Sequence, residues 1–214
     1  MSAYVIERPV WRSFKTRFLS RAAAHVKSGG HAVVLRDDGA HDLLLGVDDR
    51  GKITELGLWS ILSIEQLRWR RVKDGPAKGL ATARVRPVYE GSVMDWCERD
   101  AIHEGSTRAV ALDCLSCGAC CHDAKVLLDL ADFERWRKAG RRDLLDKAYI
   151  KRSSGKVTLR FLPDGRCRNL GGDNKCAIYP IRPDNCSAFV VGSEACLSAR
   201  EDTLKIRDGA PPLD

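Results

Sequence analysis

The sequence has no run of about 18 apolar residues, which excludes a membrane-spanning helix. Met1–Ser20 carries Glu7, Arg8, Arg12, Lys15 and Arg17 where a secretory leader would have its apolar stretch, so the chain is expected to stay in the cytoplasm. No Walker loop, no G-x-G-x-x-G after a strand and no G-x-S-x-G elbow occurs, so nucleotide, dinucleotide and hydrolase readings have nothing to rest on. His103-Glu104 lacks the second histidine of a zinc-protease helix, and His25, His31, His41 and His103 fall in separate elements and read as structural. Repeats and low-complexity tracts are absent as well. A basic tail is missing too: the net charge of +7 divides into 18 Lys+Arg against 14 Asp+Glu up to Leu112 and 18 against 15 beyond it.

What remains is a 214-residue chain, enough for one ordinary domain or two small ones. Its 44% hydrophobic and 30% charged residues are those of a folded protein. The exception is cysteine: eight of the nine lie between Cys114 and Cys196. In a reducing compartment clustered thiols hold metal more often than they pair as disulfides.

The spacing of Phe14, Phe18, Ala22 and Val26 predicts an amphipathic helix over Trp11–Lys27, ended by Ser28-Gly29-Gly30. The runs His31–Leu35, His41–Val47 and Lys52–Trp59, separated by Asp-Gly and Asp-Asp-Arg-Gly turns, predict an antiparallel meander. Ser60–Val72 is ambiguous between helix and strand, and Ala81–Tyr89 alternates like a further strand. Ser92–His103 reads as a helix capped by Ser92, with Val93, Trp96 and Cys97 on one face, where Cys97 is a small buried apolar residue rather than a ligand. Beyond it the pattern predicts a helix over Asp132–Ala139 closed by Gly140 and a strand over Val157–Phe161. Leu162–Cys196 is rich in glycine and proline and reads mostly as loops, which need a source of order such as a metal cross-link.

The expected fold class is therefore α+β. A small N-terminal antiparallel sheet plus helix (1–90) is joined by a linking helix (91–109) to a loop-rich cysteine-cluster domain with short helices (110–200) and a tail (201–214).

Four thiols, Cys114, Cys117, Cys120 and Cys121, occupy eight consecutive positions. A two-residue gap lets a tight turn aim both sulfurs at one point, as in zinc knuckles and iron–sulfur loops. Adjacent side chains tend to point apart, so Cys120 and Cys121 are expected to serve different ions. Downstream stand Cys167, Cys176, Cys186 and Cys196, and four plus four thiolates is what two tetrahedral sites or two clusters need. Zinc suits closed thiolate tetrahedra. The C-x2-C-x2-C run suits a [4Fe–4S] cluster, though the x3-C-P that completes the ferredoxin pattern is absent, and the two metals stay level on spacing alone. His122 could replace a thiolate, though a lone histidine beside such a site more often hydrogen-bonds as its neighbour.

This compound pattern resembles the CxxCxxCC, or YkgJ-type, family of zinc- or iron-chelating cysteine-cluster proteins. The residues that carry it are Cys114-x2-Cys117-Gly-x-Cys120-Cys121, Cys167-x-x-Leu170, Cys176-x-Ile178-Tyr179-x-x-Arg182-Pro183-x-x-Cys186, then Phe189 and Cys196. The likeness covers roughly residues 110–200, and it departs at Ser187, where the family usually has arginine, and at Val190, where it often has proline. It implies a metal- or iron–sulfur-binding protein of undefined activity, with some relatives described as flagellin lysine N-methylases. The physical roles expected of the shared residues are loop stiffening by Pro183, shielding by Ile178 and Tyr179, and charge neutralisation by Arg182.

Zinc or an iron–sulfur cluster held by the eight cysteines is thus the expected function. Alternatives are a cluster-dependent enzyme such as a protein lysine N-methylase, for which no glycine-rich methyl-donor loop is present, and an RNA- or protein-binding module clipped by metal. The last rests on Arg68, Arg70, Arg71, Lys73, Lys78, Arg84 and Arg86 with Trp69 and Tyr89 among them.

Overall fold

The computed structural model describes residues 4–51, 53 and 68–208. Sheets and helices are mixed in an α+β architecture, and among the described residues no helix is long and apolar enough to cross a membrane. The chain forms two compact units: Val5–Ala111 with Gly192–Ser198, and Leu112–Val191 with Ala199–Ile206.

In the first unit, strands β2 (Trp11–Lys15), β3 (His31–Leu35), β4 (His41–Leu45), β5 (Trp69–Arg71) and β6 (Ala81–Arg84) form a five-stranded sheet in the order β2-β3-β4-β6-β5. Its neighbours are antiparallel except β2 and β3, which run parallel, with Trp11 opposite His31. Strand β1 (Tyr4–Pro9) pairs instead with β7 (Thr107–Leu112). The helix expected over Trp11–Lys27 thus starts late: Trp11–Lys15 is strand, Thr16–Phe18 a 3-10 turn, and only Leu19–Lys27 is α1. Pairing with β3 and complete burial of Trp11 outweigh the four-residue apolar period, a case of tertiary packing overriding local pattern. The expected strand over Ala81–Tyr89 ends at Arg84, because Pro87 opens a 3-10 turn. Most of the expected Lys52–Trp59 strand and of the ambiguous Ser60–Val72 stretch lies outside the described residues; Ile53 bridges Val47, and β5 falls at the end of the latter.

Helix α2 (Glu90–Asp100) begins two residues before the expected cap Ser92 and turns Val93, Trp96 and Cys97 into the core with Trp11, Val33, Leu43 and Leu45. The same unit buries a charged knot. Glu194 accepts from Arg8, from Arg99 Nη1 at 2.8 Å and from Trp11 Nε1 at 2.7 Å, while Asp100 faces Arg108 Nη2 at 2.9 Å and the Trp11 amide at 2.8 Å. Ion pairs this dry persist only when every partner stays in place.

The second unit is built on short elements. After α3 (Cys114–Cys117), helix α4 (Leu130–Lys138) starts in a capping box of Asp129 and Asp132. Strands β8 (Ile150–Ser153) and β9 (Lys156–Leu159) form a hairpin, and Leu127 bridges Thr158 on its far side. Trp136, Leu144, Ile150, Leu159, Leu170 and Ile178 make the core, and Cys167 lies within it. Helix α5 (Asp184–Ser187) follows in this unit, while α6 (Glu194–Leu204) begins in the first unit and ends in the second.

Candidate metal centre

The cysteine-dense run folds as a turn of helix, a left-handed glycine and a turn of 3-10 helix. Asp113 caps α3, accepting from the Leu115 amide at 3.1 Å and from Ser116 Oγ. Gly118, at φ +67°, then reverses the chain into Ala119–Cys121. A Cβ on Gly118 would stand 3.0 Å from the Asn174 carbonyl and 3.2 Å from Leu170, so the loop packs closely on the segment that delivers Cys176. His122 Nδ1 donates to the Gly118 carbonyl at 3.2 Å, bracing this turn.

Short bridges bring in the downstream thiols. The Cys167 amide donates to the Cys121 carbonyl at 2.8 Å, Phe161 bridges Cys167, and Leu170 bridges Cys176. Cys186 rides on α5, whose start is held by α4. Trp136 Nε1 donates to the Ile181 carbonyl at 2.8 Å, and Arg135 Nη1 to the Arg182 carbonyl at 2.8 Å. The Asp184 amide donates to Asp132 Oδ1 at 2.9 Å, and Arg135 also pairs with the Asp184 carboxylate. Asp129, Asp132 and Asp184 converge within 4.8 Å, but Arg135 and backbone amides already engage them, so they act as a clamp.

The sulfurs are linked through Cys120, whose charge raises Cys114, Cys121, Cys176 and Cys186 alike. Cys121, Cys167, Cys176 and Cys186 lie in or against the apolar core, where burial pushes the Cys167 and Cys176 thiols up and Cys186 to about 12. Burial and then Cys120 raise Cys114, while a hydrogen bond from Tyr179 works the opposite way. Contrary to the expectation that neighbours diverge, the Cys121 thiol donates to the Cys120 sulfur, which lowers the pKa of Cys120 and holds Cys121 protonated. The 3-10 turn, tighter than a strand, is what lets adjacent side chains meet.

Positive charge also reaches these sulfurs. The Arg182 guanidinium favours the thiolate form of Cys114, Cys120, Cys176 and Cys186. Arg200 Nη1 donates to Cys117 Sγ at 3.1 Å, and Asn169 hydrogen-bonds Cys167. Arg200 and Asn169 carried no spacing signal in the sequence and emerge only from the fold. All nine cysteines are free of disulfides. Seven predicted thiols, Cys114 through Cys186, share the second compact unit, whereas Cys196 belongs to the first, near Arg8. Cys97 is buried with its thiol pushed up to about 12 by burial, as an inert core residue should be.

Residues 113–204, a little under half of the chain, match the family model CxxCxxCC, described as a putative zinc- or iron-chelating domain. No curated protein and no solved structure matches the chain.

Proposed function

We propose that this half of the chain is a metal centre holding zinc or an iron–sulfur group, with ligands drawn from Cys114, Cys117, Cys120, Cys121, Cys167, Cys176 and Cys186, and with Cys196 as the eighth candidate. The carrying observation is the gathering of seven thiols in one small unit where burial raises Cys114, Cys167, Cys176 and Cys186. Such thiols ionise poorly by themselves. A bound cation reverses this, because ligating thiols are deprotonated and their mutual repulsion is offset by the metal.

The donor set fits soft or borderline metals. An iron–sulfur cluster is one reading of this donor set and zinc the second. A cluster supplies electron transfer or an open Lewis-acid iron, and zinc a rigid cross-link. The protein's part is to place the thiols, keep Arg182, Arg200 and Tyr179 against them, and exclude water with Ile178 and the core.

Serine substitutions test the ligand set. Cys121→Ser and Cys176→Ser should each lower the metal bound per chain, Cys97→Ser should leave it unchanged, and Cys196→Ser reports whether the eighth thiol takes part. Full metal content in both Cys121→Ser and Cys176→Ser would overturn the proposal.

A further inference from the structure

Charge is unevenly distributed within the second unit. Between Arg137 and Arg168 there are eleven Lys and Arg against three Asp and Glu, +8 in a chain whose total is +7, so the remainder carries −1. Cutting the chain at its midpoint hides this concentration. It centres on the β8–β9 hairpin and its flanks, where Arg137, Lys138, Arg142, Lys147, Lys151, Arg152, Lys156, Arg160 and Arg168 are all exposed. None of the hairpin cations Lys151, Lys156 and Arg160 has a carboxylate partner among the described residues. By contrast Arg84, in the basic stretch of the N-terminal half, is engaged by Asp42.

The register gives the hairpin an inner and an outer face. Ile150 opposite Leu159 points to the core, so Lys151 opposite Thr158 and Ser153 opposite Lys156 face outward, and Arg160 continues that face one residue past β9. The tip, Ser153 to Lys156, turns through Ser154 at φ +49° and Gly155 at φ +73°, the two left-handed positions of a tight hairpin turn.

We propose that this outer face binds the phosphate backbone of duplex nucleic acid, without reading sequence. On β9 the outer-face cations Lys156 and Arg160 stand four positions apart, about 13 Å in an extended strand, close to the axial rise of about four phosphate steps along a duplex strand. Of the three outer-face cations, Arg160 brings a guanidinium fork that matches phosphate oxygens, and Lys151 and Lys156 act as point charges. The outer face carries no aromatic ring, since its residues are Lys151, Ser153, Lys156, Thr158 and Arg160, so it lacks the stacking platform of a single-strand binder. Its tip is Ser153-Ser154-Gly155, with no apolar side chain to enter a bilayer.

The test uses the full-length, metal-loaded protein and a fluorescein-labelled duplex of about 30 base pairs, read by anisotropy from 50 to 300 mM salt. Binding is expected to weaken steeply with salt. Lys151→Gln/Lys156→Gln/Arg160→Gln together should weaken it at least about tenfold and flatten the log–log salt slope by about 2 to 3 units, roughly 0.9 per lost phosphate contact. Arg70→Ala/Arg71→Ala should change it little. In the unmodified protein, acetylation of Lys151 and Lys156 should be slowed by the duplex, which needs no variant to fold. Metal content is read on every sample, so loss of the centre and loss of this surface are told apart. No binding at 50 mM salt, binding insensitive to the triple change, binding lost instead in Arg70→Ala/Arg71→Ala, or tighter association with phosphatidylserine vesicles or polyglutamate than with the duplex would each overturn the proposal.

Discussion

The Arg182 guanidinium lies 3.9 Å above the ring centroid of Tyr179, and Tyr179 in turn hydrogen-bonds the Cys114 thiol. One cation–aromatic stack therefore ties positive charge to the start of the cysteine run, while Arg182 Nη1 also donates to the Tyr179 carbonyl at 3.0 Å.

Removing that charge raises the thiols it now favours. Arg182→Gln should weaken metal affinity by about 10- to 100-fold, the usual cost of losing a partner outside the ligand set. It should also move the pH midpoint of metal loading upward, since Cys114, Cys120, Cys176 and Cys186 would ionise less readily. Arg182→Lys should recover part of both. Metal titration against a coloured chelator at several pH values reads the effect.

Gly118 sets the geometry between Cys117 and Cys120. Gly118→Ala places a Cβ 3.0 Å from the Asn174 carbonyl on a left-handed backbone, and should cost about 1–2 kcal/mol from conformation alone. A lower melting temperature together with reduced metal content is the expected outcome.

The buried knot of the first unit is a matter of stability rather than metal. Glu194, 1% exposed, is the common acceptor of Arg8, Arg99 and Trp11. Glu194→Gln leaves two guanidinium groups short of their counter-charge and should destabilise this unit by about 3–5 kcal/mol in urea denaturation.

His31 makes that unit acid-sensitive. Burial lowers its pKa from 6.5 to about 3, with the ring edge-on to Trp11 at 4.9 Å. Above pH 6.5 the ring is neutral in both folded and unfolded chains; between 6.5 and 3 only the unfolded chain takes up the proton. Stability contributed by neutral His31 is thus lost as pH falls through that window, by up to about 1.4 kcal/mol per pH unit. Burial also lowers His25, which acts in the same direction. His31→Phe should flatten the dependence of unfolding free energy on pH over this range.

Much of this was legible in the residues. Strand His31–Leu35, the inward face Val93-Trp96-Cys97 and the capped helix near Asp132 follow from period and caps, and the structure has them within a few residues. Trp11–Lys15 misled because its apolar spacing suits a helix while its partner, β3, lies sixteen or more residues away. Helix α6 escaped notice because its apolar positions form no stripe: only Glu194 and Leu197 are fully buried along it. At the site, the thiols, Tyr179 and Arg182 could be named from spacing and likeness. Arg200 and Asn169 could not, because each reaches sulfur only through long-range folding. The hydrogen bond between Cys121 and Cys120 was hidden for a different reason, since the tight turn that makes it depends on Gly118 closing against Asn174.

The central claim is that thiols of residues 113–204 hold metal. Its most direct test is anaerobic purification without added zinc, followed by iron, zinc and acid-labile sulfide analysis with the visible spectrum and a count of thiols reactive in the folded state. The account predicts bound metal at one or more per chain with most cysteines unreactive, iron and sulfide with absorbance near about 400 nm marking a cluster and colourless zinc marking the second reading. Folded protein free of metal, with the cysteines of this cluster freely reactive, would contradict it.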